Sequence, residues 1–299
     1  MKAVVFAYSN VGDRCLRVLH AGGVQVPLVV THHDQPGETI WFQRVADTAA
    51  ELQLPFIRVD DPNEPALAAR VAAAKPDLIF SFYYRAMIPA PLLASARAGA
   101  FNMHGSLLPL YRGRAPVNWA ILDGATQTGA TLHEMVAKPD AGAIVDQSAV
   151  PILPDDTAAQ VSDKVTVAAE QVLWRSLPAI VAGQAPRRFN DLSKGSYFGA
   201  RKPEDGRIDW SQPAQQVYNL VRAVAPPFPG AFTDIGGSRL VVAKARLRRG
   251  TTTTWKPGLR IDGQRVVGVC GDGGVIDIHE LRCGSATIDA DTLDPLLNC

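Results

Sequence analysis

The chain has 299 residues, too many for one ordinary hydrophobic core and too few for three, so we expect two domains or one domain with a large appendage. Hydrophobic residues make up 47% and charged residues 20%, which excludes a disordered or fibrous protein. Thirty Lys and Arg against 29 Asp and Glu give a net charge of +1, which argues against a general nucleic-acid binder.

Four cysteines, Cys15, Cys270, Cys283 and Cys299, are scattered without a Cys-x-x-Cys pair, so we expect neither a disulfide framework nor a zinc site. The N-terminus shows no signal-peptide cleavage pattern, and no apolar run is long enough to span a bilayer. We therefore expect a cytoplasmic protein without membrane insertion and without a metal.

The first 84 residues alternate between strand and helix patterns. Strands are predicted at 2–8, 24–31, 56–59 and 77–84, and helical patterns follow the first three of them, at 11–19, 41–52 and 63–74. The fourth strand is almost continuously apolar, as a strand buried on both faces would be. This alternation predicts a Rossmann-like, doubly wound α/β domain whose ligand site lies at the carboxyl ends of the strands.

The pattern changes after residue 104. A loop rich in Pro, Gly and Arg at 107–116 is too unusual for a plain connection, and two strands (128–136 and 142–152) and a long helix at about 157–182 follow it. Short β-like runs with a hairpin signal at GDGG (271–274) fill the C-terminal part. We predict a catalytic domain over 1–202 and a small β-rich, OB-like subdomain over 203–299.

Asn102 and His104 lie two residues apart at the predicted end of a strand, so their side chains point to the same face. An amide donor beside an imidazole suits acyl transfer, because one group stabilises an oxyanion while the other moves a proton. The alternative is structural, with the His capping the sheet edge and the Asn satisfying the next loop. Asp140, at the start of a turn, could orient the His, but sequence alone does not show that they meet.

The segment FNMHGSLLPLYRGRAPVNWAILDGATQTGATLHEMVAKPDAGAIVDQ (101–147) resembles the core of the folate-dependent formyltransferases, with their Asn-x-His, Ser-Leu-Leu-Pro, Thr-Gly and Asp-x-Gly elements. Residues 210–232 resemble the entry to that family's C-terminal subdomain, and the likeness weakens from residue 233. Five segments are similar to the subgroup that formylates UDP-4-amino-4-deoxy-L-arabinose in lipid A modification and polymyxin resistance: FAY (6–8), QPGE (35–38), FSFYYR (80–85), GSLLPLYRGRAPVNW (105–119) and DAGAIV (140–145).

The resemblance implies that Asn102, His104 and Asp140 are catalytic, that Asp140 raises the pKa of His104, and that the substrate's own amine attacks the formyl group of 10-formyltetrahydrofolate. It also implies the folate-binding groups, which are the backbone of Ala86, Met87 and Ile88, the side chain of Arg114, and a loop formed by Val136, Ala137, Lys138, Pro139 and Asp140.

The remaining candidates carry weaker signals. Asn10, in the turn after the first strand, is a candidate for the floor of the substrate cleft. Arg201 and Lys202 are either diphosphate contacts or solvated charges. We interpret His32, His33 and Asp34 as a solvated loop rather than a metal site. His133 and His279 are expected to serve local hydrogen bonding.

We therefore expect an N-formyltransferase that acts on a small nucleotide-sugar and a folate, with no nucleic-acid partner. Methionyl-tRNA formyltransferase is the main alternative, but residues 31–38 are acidic where that enzyme carries a basic insertion. Another UDP- or dTDP-amino sugar, a formyl-folate hydrolase and a non-catalytic binding protein are also open. We expect a monomer or a dimer, with any decarboxylation carried out by a separate partner.

Overall fold

The computed structural model describes residues 1–35 and 37–297. Its strands, in chain order up to residue 198, are β1 Lys2–Ala7, β2 Gln25–Thr31, β3 Phe56–Arg58, β4 Leu78–Phe82, β5 Gly99–His104, β6 Arg112–Gly113, β7 Gln127–Glu134, β8 Ile144–Pro151 and β9 Tyr197–Phe198. The helices are α1 Ser9–Ala21, α2 Val45–Glu51, α3 Pro65–Ala74, α4 Ala90–Leu93, α5 Pro116–Leu122, α6 Ala158–Val181, α7 Ala214–Val224 and α8 Ala290–Leu297, with short 3-10 turns at Leu192–Lys194 and Pro203–Gly206.

Seven strands form one sheet in the order β3-β2-β1-β4-β5-β7-β8. The pairings from β3 through β5 are parallel, whereas β5–β7 and β7–β8 are antiparallel. The central strand β4 is buried along its whole length, and Phe6, Phe80 and Phe101 are among the largest buried side chains. The predicted doubly wound α/β fold is confirmed, and the switch to antiparallel pairing occurs at β5, where the candidate residues lie.

Two predicted elements are shorter in the structure. The helix expected at 41–52 begins only at Val45, because Asn10 Oδ1 accepts the N–H of Gln43 at 2.8 Å and Phe42 packs on the ring of Tyr8, which holds this stretch as a loop. The strand expected at 77–84 ends at Phe82, because Tyr83 takes a left-handed φ of 57° that extended backbone does not allow.

The chain divides into two compact units. The first comprises Met1–Pro116, Gln127–Pro151 and Ser162–Phe198; the second comprises Val117–Thr126, Ile152–Val161 and the chain from Gly199 onward. The single boundary predicted at residue 202 stays a prediction.

The second unit contains an antiparallel sheet of β10 Ala231–Ile235, β11 Ser238–Thr252, β12 Gly258–Asp262, β13 Arg265–Val269, β14 Gly274–Cys283 and β15 Ala286–Ile288. The strand order is β10-β11-β14-β13-β12, and β15 pairs with β14. The hairpin predicted from GDGG joins β13 to β14. The β-rich C-terminal region expected from the sequence is therefore confirmed.

Neither a membrane span nor a metal cluster is found within 1–35 and 37–297: no helix there is long and apolar enough to cross a bilayer, and no group of three His, Cys, Asp or Glu side chains could hold a metal. Cys15, Cys270 and Cys283 are free thiols. Cys299 lies outside the described residues.

Candidate active site

Strand β5 ends with Asn102 and His104 on one face, as their spacing predicts. Its antiparallel neighbour β7 places His133 opposite Asn102 and Thr131 opposite His104. His104 and His133 are buried, at 6% and 1% exposure, and Asn102 is half-buried. Two imidazoles and one amide therefore meet at the point where the sheet changes from parallel to antiparallel pairing.

Asp140 lies in the turn between β7 and β8, in a left-handed conformation with φ of 50°. Aspartate tolerates this region better than most residues, but the conformation still has to be held by its surroundings. Asn190 does so by donating its Nδ2 hydrogens to the carbonyls of Asp140 at 3.0 Å and Gly142 at 3.1 Å. Gly142 must be glycine, because a Cβ there would lie 1.9 Å from the carbonyl oxygen of Glu134.

The carboxylate of Asp140 lies close to the other three polar side chains of the site. Its Oδ1 lies 3.6 Å from His104 Nδ1, 3.5 Å from His133 Nε2 and 3.4 Å from Asn102 Nδ2. Its Oδ2 accepts the backbone N–H of Gly113 at 2.8 Å. The structure thus brings Asn102, His104 and Asp140 into one cluster, while their catalytic roles stay a prediction.

The proton on His104 can be placed from its partners. Nε2 lies 2.8 Å from the carbonyl oxygen of Tyr111, which can only accept, so Nε2 carries the hydrogen and Nδ1 faces Asp140. Burial lowers the pKa of His104, although Asp140 and the Tyr111 carbonyl act in the opposite direction. Asp140 therefore contributes in the direction expected from the sequence, but the net shift is downward because burial outweighs it.

Asp140 itself is ionised. Burial alone would raise the pKa of its carboxyl group, but the positive charge that His104 takes up at acid pH, where this carboxyl group titrates, and the Gly113 N–H together hold that pKa well below its usual range. A buried carboxylate without hydrogen-bond donors would instead become neutral. The site thus keeps a fixed negative charge beside a neutral imidazole at neutral pH.

His133 is a member of the cluster that the sequence did not reveal. Its Nδ1 donates to the carbonyl of Glu134 at 2.8 Å, so Nε2 is the acceptor for Asn102 Nδ2 at 3.1 Å. The expectation of purely local hydrogen bonding was incomplete, because His133 also orients the Asn102 amide. The only sequence signal was its position in a strand, and the register between β5 and β7 was needed to use it.

The loop predicted to be functional, 107–116, is firmly braced. Thr131 Oγ1 accepts the N–H of Leu108 at 3.1 Å, and β6 in this loop pairs with β9. Gly113 adopts a φ of 96°, and a Cβ there would lie 2.1 Å from the carbonyl oxygen of Phe198. The Gly113 N–H that reaches Asp140 is therefore set by a backbone that only glycine accommodates.

The predicted folate segment follows β4. No described residue hydrogen-bonds to the backbone groups of Ala86, Met87 or Ile88. Met87 is 58% exposed, while Ile88 is buried in the core. Unpaired backbone groups of this kind are available to a ligand, and the folate-binding role of these residues stays a prediction.

His32 holds Arg85, the residue before this segment, and is not the solvated loop residue that we expected from the sequence. Arg85 donates its backbone N–H to His32 Nε2 at 3.0 Å, and its guanidinium forms an ion pair with Glu38. His32 is buried and stacks on Tyr84 with ring centroids 4.0 Å apart. It does not belong to a solvated loop, because its Nε2 is needed as an acceptor; His33 is exposed.

The other predicted ligand contacts are placed as follows. Arg114, Val136, Ala137 and Lys138 are exposed, and Pro139 is half-buried. These positions leave their folate-binding role a prediction.

The three residues predicted as substrate contacts, Asn10, Arg201 and Lys202, have hydrogen-bond partners within the chain. Asn10 accepts the N–H of Gln43, as described above. In the second unit, Arg201 donates to the carbonyl of Asp205 at 2.9 Å and lies over the ring of Trp119, and the Lys202 N–H donates to the Asp205 carboxylate. Their predicted substrate roles are untested by this geometry.

Two models of known protein families match the chain. A family model described as formyl transferase matches residues 1–177, and one described as the formyl transferase C-terminal domain matches residues 201–293. The chain belongs to the formyl transferase family. The expectation of an N-formyltransferase enzyme is thereby confirmed.

Solved structures share the fold at low identity. One is an N-formyltransferase from Helicobacter canadensis in complex with folinic acid and dTDP-3-aminofucose, with 18% identity, 93% of this chain and 98% of that chain covered, and a TM-score of 0.72. Another is WlaRD, a sugar 3N-formyl transferase with dTDP and 5-N-formyl-THF, with 18% identity, 97% and 98% covered, and a TM-score of 0.71. HypX from Aquifex aeolicus with tetrahydrofolic acid matches at 19% identity over 99% of this chain and 47% of its own, with a TM-score of 0.68.

Proposed function

We propose that this formyl transferase moves a formyl group from 10-formyltetrahydrofolate to the primary amine of a nucleotide-linked amino sugar. The observation that carries the proposal is the single cluster formed by Asn102, His104 and the ionised Asp140 at the end of β5. Solved relatives bound to a folate and to dTDP or a dTDP-amino sugar support both substrate classes.

His104 is the proton carrier. Because its Nε2 hydrogen is held by Tyr111, Nδ1 is the atom that accepts the proton of the attacking amine. The imidazolium that forms is stabilised by Asp140, whose Oδ1 lies 3.6 Å away. The amine nitrogen bonds to the formyl carbon, the bond from that carbon to the folate N10 breaks, and the proton passes from His104 to N10.

Asn102 stabilises the negative charge that develops on the formyl oxygen. Its Nδ2 contacts His133 at 3.1 Å and Asp140 at the longer distance of 3.4 Å. The longer contact is beyond the usual hydrogen-bond length, so that N–H can turn toward an oxyanion while His133 holds the amide in place. One well-aimed donor of this kind contributes about 10²–10³-fold in rate.

The folate fits the backbone that the fold leaves unpaired. The free N–H and C=O groups of residues 86–88 bind its polar ring edges, and the exposed Arg114 and loop 136–139 provide further contacts. Backbone recognition of this type depends on a fixed loop, which the His32 contact to Arg85 supplies.

The amine substrate we propose is UDP-4-amino-4-deoxy-L-arabinose, in lipid A modification and polymyxin resistance. This finer assignment rests on the five segments FAY, QPGE, FSFYYR, GSLLPLYRGRAPVNW and DAGAIV. The dTDP-linked 3-amino sugar of one relative is the principal competing substrate.

The experiment is a substrate panel with 10-formyltetrahydrofolate, with release of tetrahydrofolate as the readout. The panel contains UDP-4-amino-4-deoxy-L-arabinose, dTDP-3-aminofucose and methionyl-tRNA, each at low and moderate salt. We expect turnover of the UDP sugar with mild salt dependence, since few charges are neutralised. Turnover of methionyl-tRNA alone would overturn the nucleotide-sugar proposal, and turnover of the dTDP sugar alone would overturn the finer assignment.

A further inference from the structure

The loop after β5 contains a buried arginine that lacks a counter-charge. Arg112 is 8% exposed, its Nε is fully buried without a hydrogen-bond partner, and no carboxylate of the described residues pairs with it. Its guanidinium carbon lies 5.9 Å from the centroid of the Tyr197 ring. Burying a cation without a partner is unfavourable, so something other than folding accounts for it.

A second buried arginine shows what a structural role looks like in the same chain. Arg222 is 5% exposed, and it donates Nη1 to the Asp156 carbonyl at 2.9 Å and Nη2 to Asn219 Oδ1 at 2.7 Å. Its guanidinium also lies over the ring of Tyr218. The Nε of Arg222 is also buried without a hydrogen-bond partner, but both of its Nη atoms are paired, whereas the Arg112 guanidinium has no hydrogen bond to any described residue.

The backbone of Arg112 is held in place next to residues that contact the cluster. Its N–H donates to the Ser196 carbonyl at 3.1 Å, within the pairing of β6 and β9. The preceding residue, Tyr111, accepts the hydrogen of His104, and the following residue, Gly113, donates to Asp140. In the chain, Arg112 therefore lies directly between two residues whose backbone groups contact His104 and Asp140.

We propose that Arg112 binds the diphosphate of the nucleotide-sugar substrate. This inference rests on the proposed function and names the residue that recognises the acceptor. The diphosphate is joined directly to the sugar ring that carries the amine, so it must lie within one ring of the transfer centre. A guanidinium matches phosphate oxygens with two parallel hydrogen bonds, and burial strengthens that contact.

The geometry favours the diphosphate over the other anion in the reaction, the glutamyl carboxylates of the folate. Those carboxylates end a flexible tail, which an exposed cation can hold, and Arg114 of the same loop is exposed. The diphosphate supplies two negative charges next to the sugar, which is where a buried cation is needed.

The test combines stability with binding in Arg112→Met and the matched control Arg222→Met. Because Arg112 has no partner in the free protein, Arg112→Met should keep or raise the urea midpoint, whereas Arg222→Met should lower it. Calorimetric titration with UDP should show a Kd raised at least about tenfold in Arg112→Met. The KM for the nucleotide-sugar should rise while the KM for 10-formyltetrahydrofolate stays unchanged, and Arg112→Lys should recover part of the loss.

Three results would overturn the inference. Arg112→Met could lose as much stability as Arg222→Met, it could bind UDP as tightly as the natural chain, or it could raise the KM for the folate instead. The two proposals fail separately: if the natural chain turns over a nucleotide-sugar and Arg112→Met is unaffected, only the role of Arg112 is lost. If the natural chain neither binds UDP or dTDP nor formylates any nucleotide-sugar, the proposed function fails first.

Discussion

Replacing Asp140 with Asn removes the negative charge of the carboxylate at the centre of the cluster. The side chain of Asn can still accept the Gly113 N–H, so the turn should keep its shape. What is lost is the attraction between the carboxylate and the imidazolium of His104, across 3.6 Å. At an effective dielectric constant of about 20, such a pair is worth roughly 4 kcal/mol, so we expect kcat/KM to fall about 10²–10³-fold.

The same variant should move the pH profile. Asp140 opposes the lowering of the His104 pKa, so its removal lowers that pKa further, and the acidic limb of kcat/KM should shift to lower pH. Initial rates of tetrahydrofolate release across a pH series measure both effects.

Asp146→Asn is the matched control. Asp146 is a partly buried carboxylate in the same unit, and its partners are Arg175 and Ser176 rather than the cluster. It should leave the profile of kcat/KM in place. If Asp140→Asn kept its rate within about threefold and its profile unshifted, the proposed electrostatic role of Asp140 would be wrong.

Three further predictions concern the same cluster. The pKa values of His104 and Asp140 both lie below their ordinary values in the folded chain. Below about pH 6.5 the unfolded chain therefore binds more protons than the folded chain does. The free energy of unfolding should therefore decrease as the pH is lowered from about 6.5. In urea titrations, the His104→Asn/Asp140→Asn double variant should show a smaller decrease with pH than the natural chain. An equal decrease in the two proteins would contradict the assignment. His104→Ala and Asn102→Ala should each lower kcat strongly while changing the free energy of unfolding little. If both residues act on one intermediate, the double variant should lose less kcat than the product of the two single losses. A loss equal to that product would show that the two residues act independently. Gly113→Ala places a Cβ 2.1 Å from the Phe198 carbonyl at a φ of 96°, so it should cost about 1–3 kcal/mol by urea titration and lower kcat as well; unchanged stability would refute the strain.

The sequence predicted the parts of the fold that depend on local periodicity. The alternating strands and helices up to residue 84, the long helix α6 and the hairpin between β13 and β14 all follow from patterns within a few turns or strands. The pairing of Asn102 with His104 on one face follows from the two-residue repeat of a strand.

The remaining features depend on contacts between distant segments. Asp140 meets His104 only because β5 pairs with β7 in a particular register, and His133 enters the cluster for the same reason. We predicted a solvated His32 from the sequence, because no neighbouring residue in the chain indicates that its ring accepts a hydrogen bond from the backbone of Arg85. Arg112 looks like any other basic loop residue until its burial and its lack of a partner are known.

The most direct test of the account follows the formyl group itself. The natural chain and His104→Asn are each incubated with 10-formyltetrahydrofolate carrying an isotope-labelled formyl carbon and with UDP-4-amino-4-deoxy-L-arabinose, and the products are identified by mass spectrometry. We predict that the label appears on the sugar's 4-amino nitrogen with the natural chain, and at least about 10²-fold more slowly with His104→Asn. Label recovered only as free formate, or equal labelling by the two proteins, would contradict formyl transfer through His104.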